Sequence, residues 1–474
     1  MSMAERLLKK IVILRQPPEE IFKNNRIIGA IYGAVTAVAG CVIFLCEKLS
    51  LGHFGGLYEK VKRNGAIFNN VVGLTLFNAL GGILLVVTQI KLANALGPST
   101  YGVYAYCLAI GEVGTYVVRY GRNKTMLRDL VQRPDKCNSL ISSTFCSSLL
   151  NLLLFIAVVL PLYKILDFPL TPGCVLLIIS PCLISLDFQP VYESLMAMSW
   201  HSIYNLLQKT IFVSVIWVAI FFSFGLTLEF LGCVTFASWI IIIYGEFTEI
   251  TRHYGINIRR DCSWIEIKEL YRANFIIALC SAASVLYQPA LRMVLNHYDG
   301  SAAVGIYSAG FQILLIAQFI ITQIARVGNP MMAEVGKDDC PLEKRRKFLF
   351  NYFKIMVICS LPCVLPLLLF PDYITATFFS EKYDELRHIL PVFGLALLLH
   401  AAALVFEQFL ISMRKDKIYF SVFVLSGIVA LAVSLVLVPR ISVLGAAVAV
   451  GCSWLTMLVG YCVSSLRTIN CRAK

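Results

Sequence analysis

The chain has 474 residues, of which 58% are hydrophobic and 15% charged, and its formal net charge is +13. Soluble globular chains carry about 25% charged residues, so this composition excludes an ordinary water-soluble enzyme. It equally excludes a disordered chain, a collagen and a disulfide-stapled scaffold.

Apolar runs of membrane-spanning length recur from end to end. The first covers 27–46. Six follow at 71–92, 103–118, 140–160, 174–195, 203–224 and 227–245. Six more lie at 273–295, 304–324, 348–369, 389–411, 419–438 and 443–464. The runs are too long for membrane strands and lack their period-two alternation. The expected fold class is therefore an all-α polytopic membrane protein.

Topology explains most of the charge. Setting the first run aside and threading the other twelve with the segment before residue 71 inside, 27 Lys/Arg fall on the inner side. The opposite side holds six: Lys91, Lys164, Arg292, Lys382, Arg387 and Arg440. This is the positive-inside bias of a cytoplasmic membrane, and it places the start of the core and the C-terminus in the cytoplasm. It removes the need for a nucleic-acid partner, because no soluble basic domain is left to bind one.

The run at 27–46 breaks the pattern. Residues 1–26 carry six Lys/Arg and residues 47–70 carry four, so both flanks favour the same side. Gly29 and Gly33, followed by Ala37 and Gly40, offer a small-residue face for helix packing. The segment reads as a weakly held span or as a re-entrant or surface element. It starts too late and is followed by residues too bulky for a cleaved signal. Residues 1–63 are thus expected to be an accessory to a twelve-span core.

The core repeats itself. The turn Gly97-Pro98-Ser99-Thr100-Tyr101-Gly102-Val103-Tyr104 has a partner in Gly300-Ser301-Ala302-Ala303-Val304-Gly305-Ile306-Tyr307, at a constant offset of 203 residues. A weaker echo links Glu193 and Tyr204 with Glu407 and Tyr419. Six spans separate the members of each pair, so both have the same orientation. This predicts two six-helix lobes related by an axis along the membrane normal. The expected limits are 64–250 for the first lobe, 251–269 for a cytoplasmic connection, 270–466 for the second lobe and 467–474 for a tail. Gly97-Pro98 ends a helix, and the glycine tolerates the positive φ needed there. Gly102 and Gly305 let the next helix begin close to its neighbour. Tyr104 and Tyr307 are expected at the membrane interface.

The stretch from Lys91 to Tyr104 resembles the "ARxLGPxxYGxY" signature of bacterial polysaccharide flippases, with Lys91-Leu92 in place of its Ala-Arg pair. These are the polysaccharide transporters of the multidrug/oligosaccharidyl-lipid/polysaccharide exporter superfamily. The Gly300–Tyr307 turn and Asn329-Pro330 resemble second-half counterparts, and the resemblance covers about residues 64–466. It implies two lobes around a central cavity, alternating access, and an undecaprenyl-diphosphate-linked oligosaccharide as cargo. Further implied partners are membrane lipids and other polysaccharide-assembly proteins.

An ionisable group inside a span costs roughly 2.5–3.5 kcal/mol on insertion scales, so each needs a reason. Arg292, beside Gln288 and Pro289, is the first candidate to grip the diphosphate; otherwise it snorkels to the outer interface. Lys91 lies at similar depth in the first half. Arg119 and Arg122 line the same cavity or simply anchor the inner end of a span. Glu112, near the middle of its span, binds a coupling H+ or Na+ or pairs with a basic residue. Asp187, between Pro181 and Pro190, predicts a broken helix with a gating or cation-binding carboxylate, or one facing a hydrated vestibule. Glu407 lies near an inner helix end. His400 is either a titrating group or a neutral, hydrogen-bonded one. Pro362 and Pro366 mark a hinge or a tolerated kink.

No metal or organic cofactor is expected. The sixteen cysteines contain no CxxC pair, and no Walker-type GxxxxGK[ST] occurs. A drug or cation antiporter of the same superfamily would typically carry a carboxylate in the first core span, and 71–92 has none. A glycan polymerase or glycosyltransferase would need a large outer catalytic loop, whereas the outer connections here are short.

Overall fold

A computed structural model describes residues 65–471 apart from 123–124, 127–128, 131–132, 134–135, 166–170, 195–197, 255–260 and 336–340. The run at 27–46, with the rest of 1–63, lies outside the described residues. All regular structure among them is helical. A hydrocarbon solvent dictates this, because only an element that satisfies its own backbone polar groups is stable there.

The helices are α1 (Gly65–Arg119), α2 (Cys137–Ile165), α3 (Pro172–Leu183), α4 (Gln189–Ser194), α5 (Met198–Phe221) and α6 (Leu228–Tyr254). They continue with α7 (Trp264–Ala282), α8 (Gln288–Val335), α9 (Leu342–Leu369), α10 (Pro371–Phe378), α11 (Leu386–Ser412) and α12 (Asp416–Cys471). Nine helices among the described residues are long and apolar enough to cross a membrane, and the bent pair 264–275 and 277–286 makes a tenth. Three of the nine are interrupted: α1 at Gly97, α8 at Gly300, and α12 at Ile441 and Ser442. Each interruption falls between two consecutive apolar runs of the sequence. The chain is a multi-pass membrane protein.

Two spans are broken within their length. The run at 174–195 ends its first helix in a 3-10 turn, Ile184–Leu186, and Asp187 is extended (φ −65, ψ 156) before α4 begins. Pro190 explains the break, since it has no N–H to continue the helical ladder. The run at 273–295, which hydropathy reads as continuous, breaks at the 3-10 turn Ala283–Leu286 and at Tyr287 (φ −87, ψ −116). Pro289, in the first turn of α8, has the same effect there.

The described residues form two compact units. The first takes residues up to 85, 114–222 and 229–281; the second takes 86–113, 223–228 and 282 onward. In the first, Ile141, Phe188, Val191, Tyr192 and Ile250 form a buried cluster, with the Phe145 ring stacked 5.7 Å from Phe188. In the second, α11 packs against α9 and α12, and α8 lies against both α11 and α12.

Candidate functional site

The two repeated turns lie together in the second unit. Gly97 (φ 73, ψ 168) and Gly300 (φ 75, ψ −173) adopt nearly the same backbone conformation. That region is essentially reserved for glycine. A Cβ on Gly102 would overlap the Ser301 carbonyl, and one on Gly305 would overlap the Pro98 carbonyl. The neighbour that each glycine admits is therefore the equivalent turn of the other half.

Tyr104 and Tyr307 depart from expectation. Both rings are buried in protein rather than presented at an interface. Gln89 donates to the Tyr104 hydroxyl at 3.0 Å and accepts from Tyr101 at 3.4 Å; Tyr307 donates to Gln288 at 3.0 Å. An amphipathic ring that finds an amide partner inside the fold does not need water at its polar end.

Arg292 lies within electrostatic reach of two of these phenols, Tyr101 and Tyr307. Its side chain is 8% exposed, and one terminal nitrogen lies 3.4 Å from both carboxylate oxygens of Glu112, whose side chain is 43% exposed. The guanidinium carbon is 5.9 Å from the centre of the Phe311 ring. Charge-assisted bonds usually close to 2.7–2.9 Å, so Glu112 holds this cation loosely. Arg292 Nε is buried without a hydrogen-bond partner among the described residues. A buried cation with spare planar donors is suited to an anion carrying several oxygens. By the repeat offset of 203, Arg292 occupies in the second half the place of Gln89 in the first. The glycine turns match in backbone, but the break at Tyr287 before Arg292 has no counterpart in the continuous helix before Gln89, and the two positions differ in charge.

Lys91 is exposed. Three residues on, Asn94 accepts from the Ser380 N–H at 2.9 Å and donates to the Phe378 carbonyl at 2.8 Å. Tyr383 donates to the Ala93 carbonyl at 2.8 Å. The loop after α10 is thus fastened to the turn at Gly97.

In the first unit, Arg119 lies 3.5 Å from Asp187 and also donates to the Ile184 carbonyl at 3.3 Å. One cation therefore serves both the carboxylate at the break and the Ile184 carbonyl, which also accepts from the Asp187 N–H at 3.3 Å. Arg122 is buried and committed to the chain: it donates to the carbonyls of Arg119, Thr144 and Val118 and to the Ser147 hydroxyl. Burial lowers its guanidinium pKa to about 10. It clamps the end of α1. Arg119, Arg122 and Asp187 line a small cavity of about 20 Å³, room for one water molecule.

Two residues absent from the sequence reading complete this region. Glu246 is 1% exposed, accepts from the Phe188 N–H at 3.2 Å, and meets His201 Nδ1 at 2.9 Å. His201 Nε2 lies 2.9 Å from the Asn205 amide nitrogen. Both residues fall just outside apolar runs, where hydropathy reads loops. Only the packing of α5 and α6 around the break shows them buried. Lys209 and Lys354, inside runs, were also passed over; the Lys354 ammonium lies 4.5 Å from the Phe350 ring centre.

His400 Nε2 lies 3.2 Å from the Gln318 amide nitrogen, and its ring is 4.6 Å from that of Trp454. Glu407 is within electrostatic reach of Tyr287, Tyr419 and Tyr461. Tyr287, at the break before α8, donates to the Phe423 carbonyl at 2.6 Å and meets the Ser426 hydroxyl.

A family described as "Polysaccharide biosynthesis protein" matches residues 67–335. The capsular polysaccharide biosynthesis protein CapF of Staphylococcus aureus is 23% identical over 262 residues, which are 55% of this chain and 64% of that protein. The match thus spans less than two thirds of the relative's length. An inward-facing multidrug resistance MATE transporter of the MOP superfamily aligns with a TM-score of 0.62 at 14% identity, covering 84% of this chain and 95% of that one. The lipid II flippase MurJ in an inward closed conformation aligns with a TM-score of 0.61 at 12% identity, covering 82% and 87%. A MOP superfamily transporter from Pyrococcus furiosus gives 0.55 at 13% identity, covering 86% and 96%. At these identities the structural likeness shows a shared fold.

Proposed function

Because the chain belongs to the polysaccharide biosynthesis protein family, we propose that it is a flippase that moves an undecaprenyl-diphosphate-linked oligosaccharide across a bacterial inner membrane for surface polysaccharide assembly. The start of its twelve-span core and its C-terminus then face the cytoplasm, and lipids and other assembly proteins are its partners. The carrying observation is Arg292: a buried cation, loosely held by Glu112, with an unused donor beside the family turn. The cargo's diphosphate supplies the oxygens that such a fork accepts bidentately. On arrival it replaces Glu112 as the partner of Arg292, so the positive charge stays compensated while the carboxylate is released. Gln288 and Gln89 hold the neighbouring phenols and keep the site polar.

In this reading coupling to H+ or Na+ falls to Asp187 at its break and Glu407 within electrostatic reach of Tyr287, together with the released Glu112. The short outer connections and the family favour transport over glycan polymerisation.

The test is complementation of bacterial strains that each lack one defined flippase, with the surface glycan that returns characterised chemically. Reconstituted protein is then assayed for flipping a fluorescent lipid-linked oligosaccharide. Restored glycan together with flipping supports the reading. Membrane-inserted protein that restores no glycan in any strain and flips no carrier overturns it.

A further inference from the structure

A second cavity lies away from Arg292. A groove of about 990 Å³ runs between α9 and the last part of α12, with Phe406 of α11 in its wall. Its charged lining residues are Glu343, Arg346 and Lys347, all in the first two turns of α9. From there on the lining is apolar, through Phe350 and Phe353 on one side and Leu466, Val463 and Val459 on the other. The groove is open along its side: Phe350 is 59% and Val459 53% exposed.

Length and charge together identify the occupant. From Leu458 to Ile469, the first and last lining residues of α12, is about 16 Å at 1.5 Å per residue. One leaflet of a hydrocarbon core about 30 Å thick has that depth. Two cations against one carboxylate leave the end net positive, and the Lys354 ammonium folds back over Phe350 towards it. A docked helix would not need a basic mouth, and a free phosphate would not need an apolar trough of leaflet length. Basic pockets between membrane helices are recognised by anionic lipid headgroups.

We propose that this groove binds an anionic phospholipid, its phosphate between Arg346 and Lys347 and its acyl chains along Phe350, Val463 and Val459. The six Lys/Arg between residues 326 and 347 assign the site to the cytoplasmic leaflet. The site is independent of the cargo site at Arg292.

The full chain is purified in mild detergent, and native mass spectrometry measures retention of added dioleoylphosphatidylglycerol against dioleoylphosphatidylcholine. A juxtamembrane cation contributes about fivefold. The wild type is therefore expected to retain the anionic lipid at least about tenfold better. The exposed pair variant R346E/K347E is expected to lose that preference while still binding the zwitterionic lipid. C462W, which fills the groove without touching the cations, is expected to lower retention of both. Absence of a preference in the wild type overturns the proposal. So does an unchanged preference in R346E/K347E, or co-purification of a polyprenyl phosphate with no phospholipid preference.

Discussion

Gly102 and Gly305 face each other where the two turns meet: a Cβ on the first would overlap the Ser301 carbonyl and one on the second the Pro98 carbonyl, and each would come within about 3 Å of the other glycine's backbone nitrogen. The obstructing atoms are backbone, so neither turn yields without separating two helices. Overpacking of this kind costs about 1–3 kcal/mol. Gly102→Ala and Gly305→Ala are each expected to lower the midpoint of thermal unfolding in detergent. The double variant is expected to cost less than the sum, because both substitutions open one contact. Gly300 has open space around its missing Cβ, so Gly300→Ala is strained by its φ alone. Wild-type midpoints in both single variants at 102 and 305 would refute the reciprocal packing.

This contact shows where the sequence was legible. The repeat was visible as a spacing of glycines and a tyrosine, because turn chemistry is local and a positive φ leaves a residue signature. That the two turns meet each other is a long-range fact with no such trace. The break at Asp187 was legible from its two flanking prolines. At Tyr287 only a kink at Pro289 was legible, and the unbroken apolar run masked the full break into two helices. Among the polar residues, Arg292 and Glu112 stood out as charges inside spans, but their pairing requires the fold. His201 and Glu246 were hidden at run ends. Tyr104 and Tyr307 were misplaced for a related reason: hydropathy gives an aromatic ring its depth but not its partner.

Arg292 and Glu112 are expected to behave unequally. If the guanidinium grips the diphosphate, Arg292→Ala removes charge-assisted bonds worth about 1.5–3 kcal/mol, or roughly 10–100-fold in transport. Arg292→Lys is expected to retain part of the activity, as a point charge without the fork. Glu112→Gln leaves the cation in place without its competitor, so it is expected to tighten binding of the lipid-linked diphosphate and to alter the pH or sodium dependence of flipping. Surface glycan at constant protein level and binding by the reconstituted protein provide the measurements. Normal glycan in Arg292→Ala would remove the residue from the site.

The break in the first unit gives a separate prediction. Glu246 holds the Phe188 N–H directly after Asp187, and Arg119 holds the Ile184 carbonyl three residues before it. Truncating Glu246 leaves that N–H without its acceptor and His201 without its partner. Glu246→Ala is therefore expected to destabilise by about 1–3 kcal/mol. Amide hydrogen exchange is expected to rise at 184–194 before it rises elsewhere. Asp187→Asn keeps a polar group beside Arg119 and is expected to be milder in stability, but to change the ion dependence of transport. If exchange at 184–194 stays at the wild-type level in Glu246→Ala, the carboxylate does not hold the break.

The loop after α10 supplies the last prediction, because its attachment depends on the signature turn. Asn94 uses both ends of one amide, the oxygen for the Ser380 N–H and the nitrogen for the Phe378 carbonyl, while Tyr383 reaches the Ala93 carbonyl. Asn94→Ala removes two bonds and Tyr383→Phe one, each worth about 0.5–1.5 kcal/mol. Asn94→Asp keeps the acceptor but turns a carboxylate oxygen towards the Phe378 carbonyl, so it is expected to fall between the wild type and Asn94→Ala. Limited proteolysis at 379–385 reads the release directly, with cleavage expected to be fastest in the double variant. Tyr383→Phe leaves the buried ring in place, so its effect isolates the hydroxyl from the packing. Cleavage in all four variants equal to that of the wild type would show that the loop is held by Phe379 and the Tyr383 ring alone, and that the polar residues of the turn serve another purpose.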